Sequence, residues 1–99
     1  MITIVAKLQA NPGKEDELAA VLKKMVGNVK QHEAGKVLTY SLHTAKDDPS
    51  LFMFYEQYAD AAAFEAHGQT EHMKEMGGSL RGLLAGRPII EQYESIAGV

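Results

Sequence analysis

The sequence predicts an α+β fold with the element order βαββαβ, an antiparallel sheet that carries its helices on one face. Three observations point there. Segments 2–10, 36–44, 49–58 and 87–96 read as strands, short apolar or alternating runs bounded by turn signals. One long stripe at helical spacing, Leu18, Val21, Leu22, Met25 and Val29, separates the first strand from the second. A second helical region, opening at Asp60, separates the third strand from the fourth. This order is the split-βαβ, or ferredoxin-like, arrangement.

Taken in order, the first strand sets Ile2, Ile4, Ala6 and Leu8 on one side and Val5 on the other. "NPG" at 11–13 stops it, because Pro12 has no N–H for a sheet ladder and Gly13 permits a turn. The first helix runs from about Lys14 to Gln31, with Glu15, Asp16 and Glu17 at the positive end of its dipole and Gly35 as terminator. "KVLTYSLHT" is the second strand, and "AKDDPS" is a turn-rich connection to the third. Asp60 caps "AAAFEAH"; Gly68 interrupts that helix, and Thr70 caps a continuation carrying Met73, Met76 and Leu80. Gly77, Gly78 and Gly82 leave its end open. "RPIIEQYESI" closes the fold as the last strand.

The third strand, "PSLFMFYEQY", is unusual. Phe52, Phe54, Glu56 and Tyr58 alternate with Leu51, Met53, Tyr55 and Gln57, so neither side is polar enough to face water comfortably. Two helices on one face cannot cover both sides of the sheet. A second copy stacked sheet on sheet is the simplest cover, and the expectation is a homodimer through the sheet face.

Composition narrows the function. Residues 1–99 read as one domain. The absence of cysteine excludes disulfides, thiolate catalysis, Cys-ligated zinc and iron–sulfur clusters. A net charge of −3, with lysines interspersed among acidic and polar residues, argues against nucleic acid as a partner. No run of eighteen apolar residues exists and "MITIVAKLQA" alternates, so no membrane association is expected and a cytoplasmic location is. Dinucleotide fingerprint, P-loop and nucleophile elbow are all missing.

Two stretches resemble a known family. "ITIVAKLQANPGKEDEL" is similar to the opening of the antibiotic-biosynthesis-monooxygenase (ABM) superfamily, with its strand, Pro-Gly-Lys turn and acidic helix start. "YSLHTAKDDPSLFMFYEQYADAAAFEAHGQTEHM" resembles its central signature: Tyr-x-Leu, an Asp-Pro turn, Phe-x-Phe-Tyr-Glu, and a His before a Thr-x-His. The resemblance spans Ile2 to about Tyr93 and implies a dimeric α+β barrel, each subunit with a small pocket between sheet and helices. It also implies one of three chemistries: cofactor-independent oxygenation of quinols or anthrones, isomerisation of a phosphorylated signal, or haem degradation. Haem degradation is disfavoured, because that branch uses a first-strand Asn and a helical Trp and His. Here the strand position is about Lys7, the chain has no Trp, and the later His position falls near Gly77.

Candidate chemistry centres on His67, on the apolar side of its helix beside Ala63 and Phe64. Its imidazole suits a general base near neutral pH, or a core histidine held by Glu56 or the backbone. Glu56 is the second catalytic candidate: facing the helices it would orient His67, and otherwise it would pair with Arg81 or Arg87 at an interface. Tyr40, Phe54, Tyr58, Met73, Met76 and Leu80 are expected to line a flat apolar pocket, with His43 and His72 at its rim. His67 and His72 stand five apart, matching neither His-Glu-x-x-His nor its inverse, so no metal is expected, and no cofactor. His32 reads as a cap at the frayed end of the first helix.

The leading expectation is a cofactor-independent monooxygenase that takes a small hydroquinone-like or polyphenolic substrate and dioxygen. A proton-shuttling isomerase is the first alternative, with Arg81, Arg87 or Lys7 as a phosphate clamp. A dimeric ligand-binding or stress-response module without catalysis is the second.

Overall fold

In the computed structural model, which describes residues 1–99, the chain runs β1 (Ile2–Gln9), α1 (Glu15–His32), β2 (Val37–Ala45), β3 (Asp48–Tyr58), α2 (Ala61–Gly68), α3 (Glu71–Ser79) and β4 (Ile89–Glu94). The sheet order is β2-β3-β1-β4 with every neighbouring pair antiparallel, which is the expected ferredoxin-like topology. No helix is long and apolar enough to cross a membrane.

The β1–β3 register sets Ile4 opposite Glu56, Ala6 opposite Phe54 and Leu8 opposite Phe52. On the other flank Tyr40 and Leu42 of β2 face Glu56 and Phe54. Side chains alternate along a strand, so these residues share one face, and α1 lays Leu18, Leu22, Met25 and Val29 onto that core. Burying each such side chain contributes roughly 1.5–3 kcal/mol.

The helical region after β3 is interrupted where expected, α2 ending at Gly68 and α3 starting afresh on Thr70. Two boundaries differ from expectation. The β2–β3 connection shrinks to the Lys46–Asp47 tip of a hairpin, since the Asp48 carboxylate accepts from the Ser50 N–H at 3.0 Å and its hydroxyl at 2.6 Å. The last strand is shorter than 87–96, being an edge strand paired to β1 alone.

Two caps after β3 position both short helices. The Asp60 carboxylate accepts from the Ala63 N–H at 2.8 Å, fixing the start of α2. Thr70 Oγ1 accepts from the Met73 N–H at 3.2 Å and donates to the His67 carbonyl at 2.9 Å, so the start of α3 is tied to the end of α2. The opposite sheet face carries Val5, Leu51, Met53 and Tyr55, partly buried, beside Ile89 and Tyr93, both more than half exposed.

Candidate functional site

Between the inner sheet face and the α2–α3 pair lies a cavity of about 330 Å³, ten of whose fifteen lining residues are apolar. Ile4, Ala6 and Leu8 form its floor with Phe54 and Glu56; Tyr40 borders it from β2, and His67, Met73, Met76 and Leu80 come from the helical side. Pro88 and Ile90 stand at the uncovered β4 side, where Ile90 is 53% exposed. This volume and apolar lining suit a small flat ligand.

Residues 63 and 67 lie one turn apart on α2, so Ala63 and His67 both turn inward and both are buried. His67 Nδ1 lies 3.0 Å from Oε1 and 3.1 Å from Oε2 of Glu33. A carboxylate can only accept, so Nδ1 carries the hydrogen and Nε2 keeps its lone pair. Nε2 has no hydrogen-bond partner, yet no fully buried side-chain nitrogen or oxygen in the chain lacks one. Nε2 is therefore accessible, and the space that the His67 ring lines is the cavity. Burial pulls the His67 pKa below its ordinary value, with the Glu33 carboxylate pulling the other way. The imidazole is a neutral, cavity-facing base.

Glu33 is held by the end of α1. Its N–H donates to the Val29 carbonyl, and its own carbonyl accepts from the N–H groups of Lys36 at 3.2 Å and Val37 at 3.1 Å. Gly35, at φ +89°, makes the tight reversal that this loop needs. The Glu33 side chain, 6% exposed, has no lysine or arginine beside it. Its partners are His67 and, through Oε2, His72 Nε2 at 2.5 Å.

Glu56 is the second ionisable group in the cavity wall. Burial pushes its pKa up to about 7; the Tyr58 hydroxyl, donating to Oε1 at 2.5 Å, opposes that rise, and the negative charge of Glu33 adds to it. Burial and the nearby carboxylates hold Tyr40 and Tyr58 well above the ordinary phenol range, so both stay neutral. The His67 ring lies 5.5 Å from the ring of Tyr40 and 5.4 Å from that of Tyr58.

Of the residues singled out in the sequence, the fold gathers His67, Glu56, Tyr40, Phe54, Met73 and Met76 around one cavity. Tyr58 sits behind that wall, bonded to Glu56 and with its ring against those of His67 and Phe64. His43 is a correction: strand parity puts it on the opposite sheet face, exposed and bonded to Ser41 Oγ at 2.9 Å. His72 is another: it does not border the cavity but lies on the far side of Glu33. The expected Glu56–His67 couple is replaced by Glu33–His67. Arg81 and Arg87 form no ion pair with Glu56, and Lys7 faces outward to Glu91 at 3.4 Å. His32 does end α1, and its ring stacks on His72 at 5.7 Å between centroids.

Glu33 was not among the sequence candidates. One signal for it exists, because an acidic residue at a helix C-terminus opposes the dipole and needs a local reason to be there. Its arrival also gives His67 and His72 a third potential ligand, the three donor atoms lying within 4.8 Å of one another. The observed spacings inside that cluster, 2.5–3.1 Å, are those of hydrogen bonds.

Comparison with known proteins bears on the whole chain. The family model described as antibiotic biosynthesis monooxygenase matches residues 1–77. Among solved structures, PA3566 from Pseudomonas aeruginosa is 33% identical, with a TM-score of 0.87 over 97% of this chain and 94% of that one. A candidate antibiotic biosynthesis monooxygenase from Caulobacter crescentus is 31% identical, with a TM-score of 0.90 over 97% and 90%. A Nitrosomonas europaea protein at 15% identity shares the fold, with a TM-score of 0.91 over 98% of this chain and all of that one. No curated protein matches.

Proposed function

The chain belongs to the antibiotic biosynthesis monooxygenase family, and from that premise we propose that it oxygenates small hydroquinone-like or polyphenolic substrates without a resident cofactor. One observation carries the reading: His67 turns a free Nε2 into an apolar cavity while Glu33 holds its other nitrogen. Nε2 takes a phenolic proton, and Glu33 stabilises the imidazolium that results. The phenolate passes one electron to dioxygen, and the two radicals combine at a ring carbon to give a hydroperoxide. Loss of water leaves a hydroxyquinone, so one oxygen atom enters the product and the other leaves in water. The electrons come from the substrate. Glu56, at a pKa of about 7, is the proton donor for the departing oxygen.

The test is oxygen uptake by purified, chelator-treated protein on a panel of reduced quinones, with a no-protein control and ¹⁸O₂ labelling of the product. One labelled oxygen per product, formed saturably above autoxidation, supports the reading. Uptake no faster than autoxidation across the panel sinks it.

A second reading rests on the pairing of a base, His67, with an acid, Glu56, in one cavity, which also suits isomerisation of a small carbonyl compound. No lysine or arginine lines the cavity, which argues against a phosphorylated substrate. Solvent deuterium failing to enter a candidate dione would count against isomerisation. A cavity of about 330 Å³ with ionisable groups in its wall also weighs against a filled, non-catalytic core.

The same proposal includes a homodimer. Val5, Leu51, Met53 and Tyr55, flanked by Ile89 and Tyr93, make the outer sheet face too apolar for water, and a second copy is the cover of matching chemistry.

A further inference from the structure

We propose that Glu33 couples His67 to His72 so that the proton His67 takes from substrate is offset by one that His72 releases to solvent elsewhere on the molecule. This deepens the oxygenase reading and rests on it for the source of the proton.

The geometry is that of a carboxylate clasped between two imidazoles. Glu33 accepts from His67 Nδ1 on one side and from His72 Nε2 on the other. Both inner nitrogens must carry hydrogen, because a carboxylate and an imidazole lone pair repel. Two positions are left where the cluster can exchange protons, His67 Nε2 and His72 Nδ1. Neither has a hydrogen-bond partner and neither is sealed from solvent. They open on different surfaces: His67 on the cavity, His72 on a groove between α1 and α3 lined by Val21, Met25, Asn28 and Met76.

Charge balance supplies the coupling. Glu33 and His67 are buried and no lysine or arginine reaches them. One carboxylate with one imidazolium is neutral; two imidazoliums or none would leave a net charge in a poorly solvated place. The cluster thus favours one extra proton, held at either outer nitrogen. When substrate protonates His67 Nε2, His72 loses its Nδ1 proton to the groove, and the inner N–H bonds and Glu33 are unchanged. One proton enters and one leaves.

The surroundings fit. Tyr40 and Tyr58 beside His67 stay neutral, and two carboxyls share its cavity wall, Glu56, whose pKa burial raises to about 7, and Glu65 of α2. Beside His72 stand the stacked His32 ring and, farther along the groove, the Lys24–Glu75 ion pair at 3.2 Å. The positive charge of His72 also depresses the basicity of His67.

The test uses His72→Gln and His72→Ala. The Gln amide N–H can replace the donor to Glu33 but cannot exchange a proton. With reduced menadione as the probe, His72→Gln is expected to lower kcat about tenfold with KM unchanged, the weight of one pK unit of interaction between two titrating sites. Added imidazole should restore His72→Ala in proportion to its concentration and leave His72→Gln slow. Full activity of His72→Gln would reduce His72 to a packing role and overturn the proposal. A second readout needs no turnover: ¹⁵N NMR titration of the histidine rings. The coupling predicts that each ring reports both protonation steps in the native protein, and that the His67 midpoint moves upward in His72→Gln. A His67 midpoint that does not move overturns the coupling whether or not any quinol is oxidised, so failure here is distinct from failure of the oxygenase reading.

Discussion

Replacing Glu56 by Gln should change how the fold responds to pH more than it changes the fold itself. The Gln carbonyl can still accept the Tyr58 hydroxyl bond now made at 2.5 Å, so the packing survives while the charge is removed. In the folded chain the Glu56 carboxyl has its pKa at about 7, against an ordinary 4.5. Between those two values the folded state binds a proton that the unfolded state has released. Stability therefore falls as pH rises through this window, and the full penalty for ionising a buried carboxylate is present above pH 7. The distance from 4.5 to about 7 corresponds to about 3 kcal/mol. His67 acts in the opposite sense, since its lowered pKa makes the fold gain stability as pH rises toward the ordinary histidine value. The difference between native protein and variant removes that contribution. Urea unfolding from about pH 4 to pH 8, at one fixed protein concentration, should show Glu56→Gln gaining about 3 kcal/mol on the native chain across the range. Curves that run parallel would show that Glu56 ionises without penalty and would refute the reasoning.

Other consequences stem from the same geometry. Glu33→Ala leaves two imidazole N–H groups without an acceptor, at roughly 1–3 kcal/mol each, so a loss of about 2–6 kcal/mol in urea unfolding is expected and a loss below about 1 kcal/mol would contradict it. Tyr58→Phe removes the hydrogen bond that restrains Glu56 and should push its titration midpoint above about 7, read by ¹³C NMR of the carboxyl; a lower midpoint would mean that the hydroxyl does not favour the ionised form. Tyr55→Lys places a charge on the outer sheet face. Sedimentation equilibrium should show a native dimer and a variant shifted toward monomer, whereas a monomeric native protein would rule out the homodimer.

The sequence revealed the scaffold more fully than the site. Strand parity alone separated Phe52, Phe54, Glu56 and Tyr58 from their outward neighbours, because the period of two is strict and β3 runs without a bulge along β1. Asp60 and Thr70 were legible as caps because short polar side chains bond their own helix locally. His43 was misplaced for want of register, which places it opposite Met53 rather than Phe54. Glu33 escaped notice for a different reason. Its one local mark is an acidic side chain at a helix C-terminus, while its partners, 34 and 39 residues away, are set by two distant helices meeting at Thr70. Glu56 was rightly picked as a carboxylate that needs a partner, but the nearest donor was the hydroxyl two residues along its own strand.

If His67 is the base of a cofactor-free oxygenase, turnover of reduced menadione by chelator-treated native protein beside His67→Ala shows it most directly, with oxygen uptake corrected for autoxidation. A fall of about 10²–10⁴-fold in kcat is expected in the variant, the contribution of a positioned general base. Equal turnover by the two proteins would show that the cavity-facing imidazole takes no part in the chemistry.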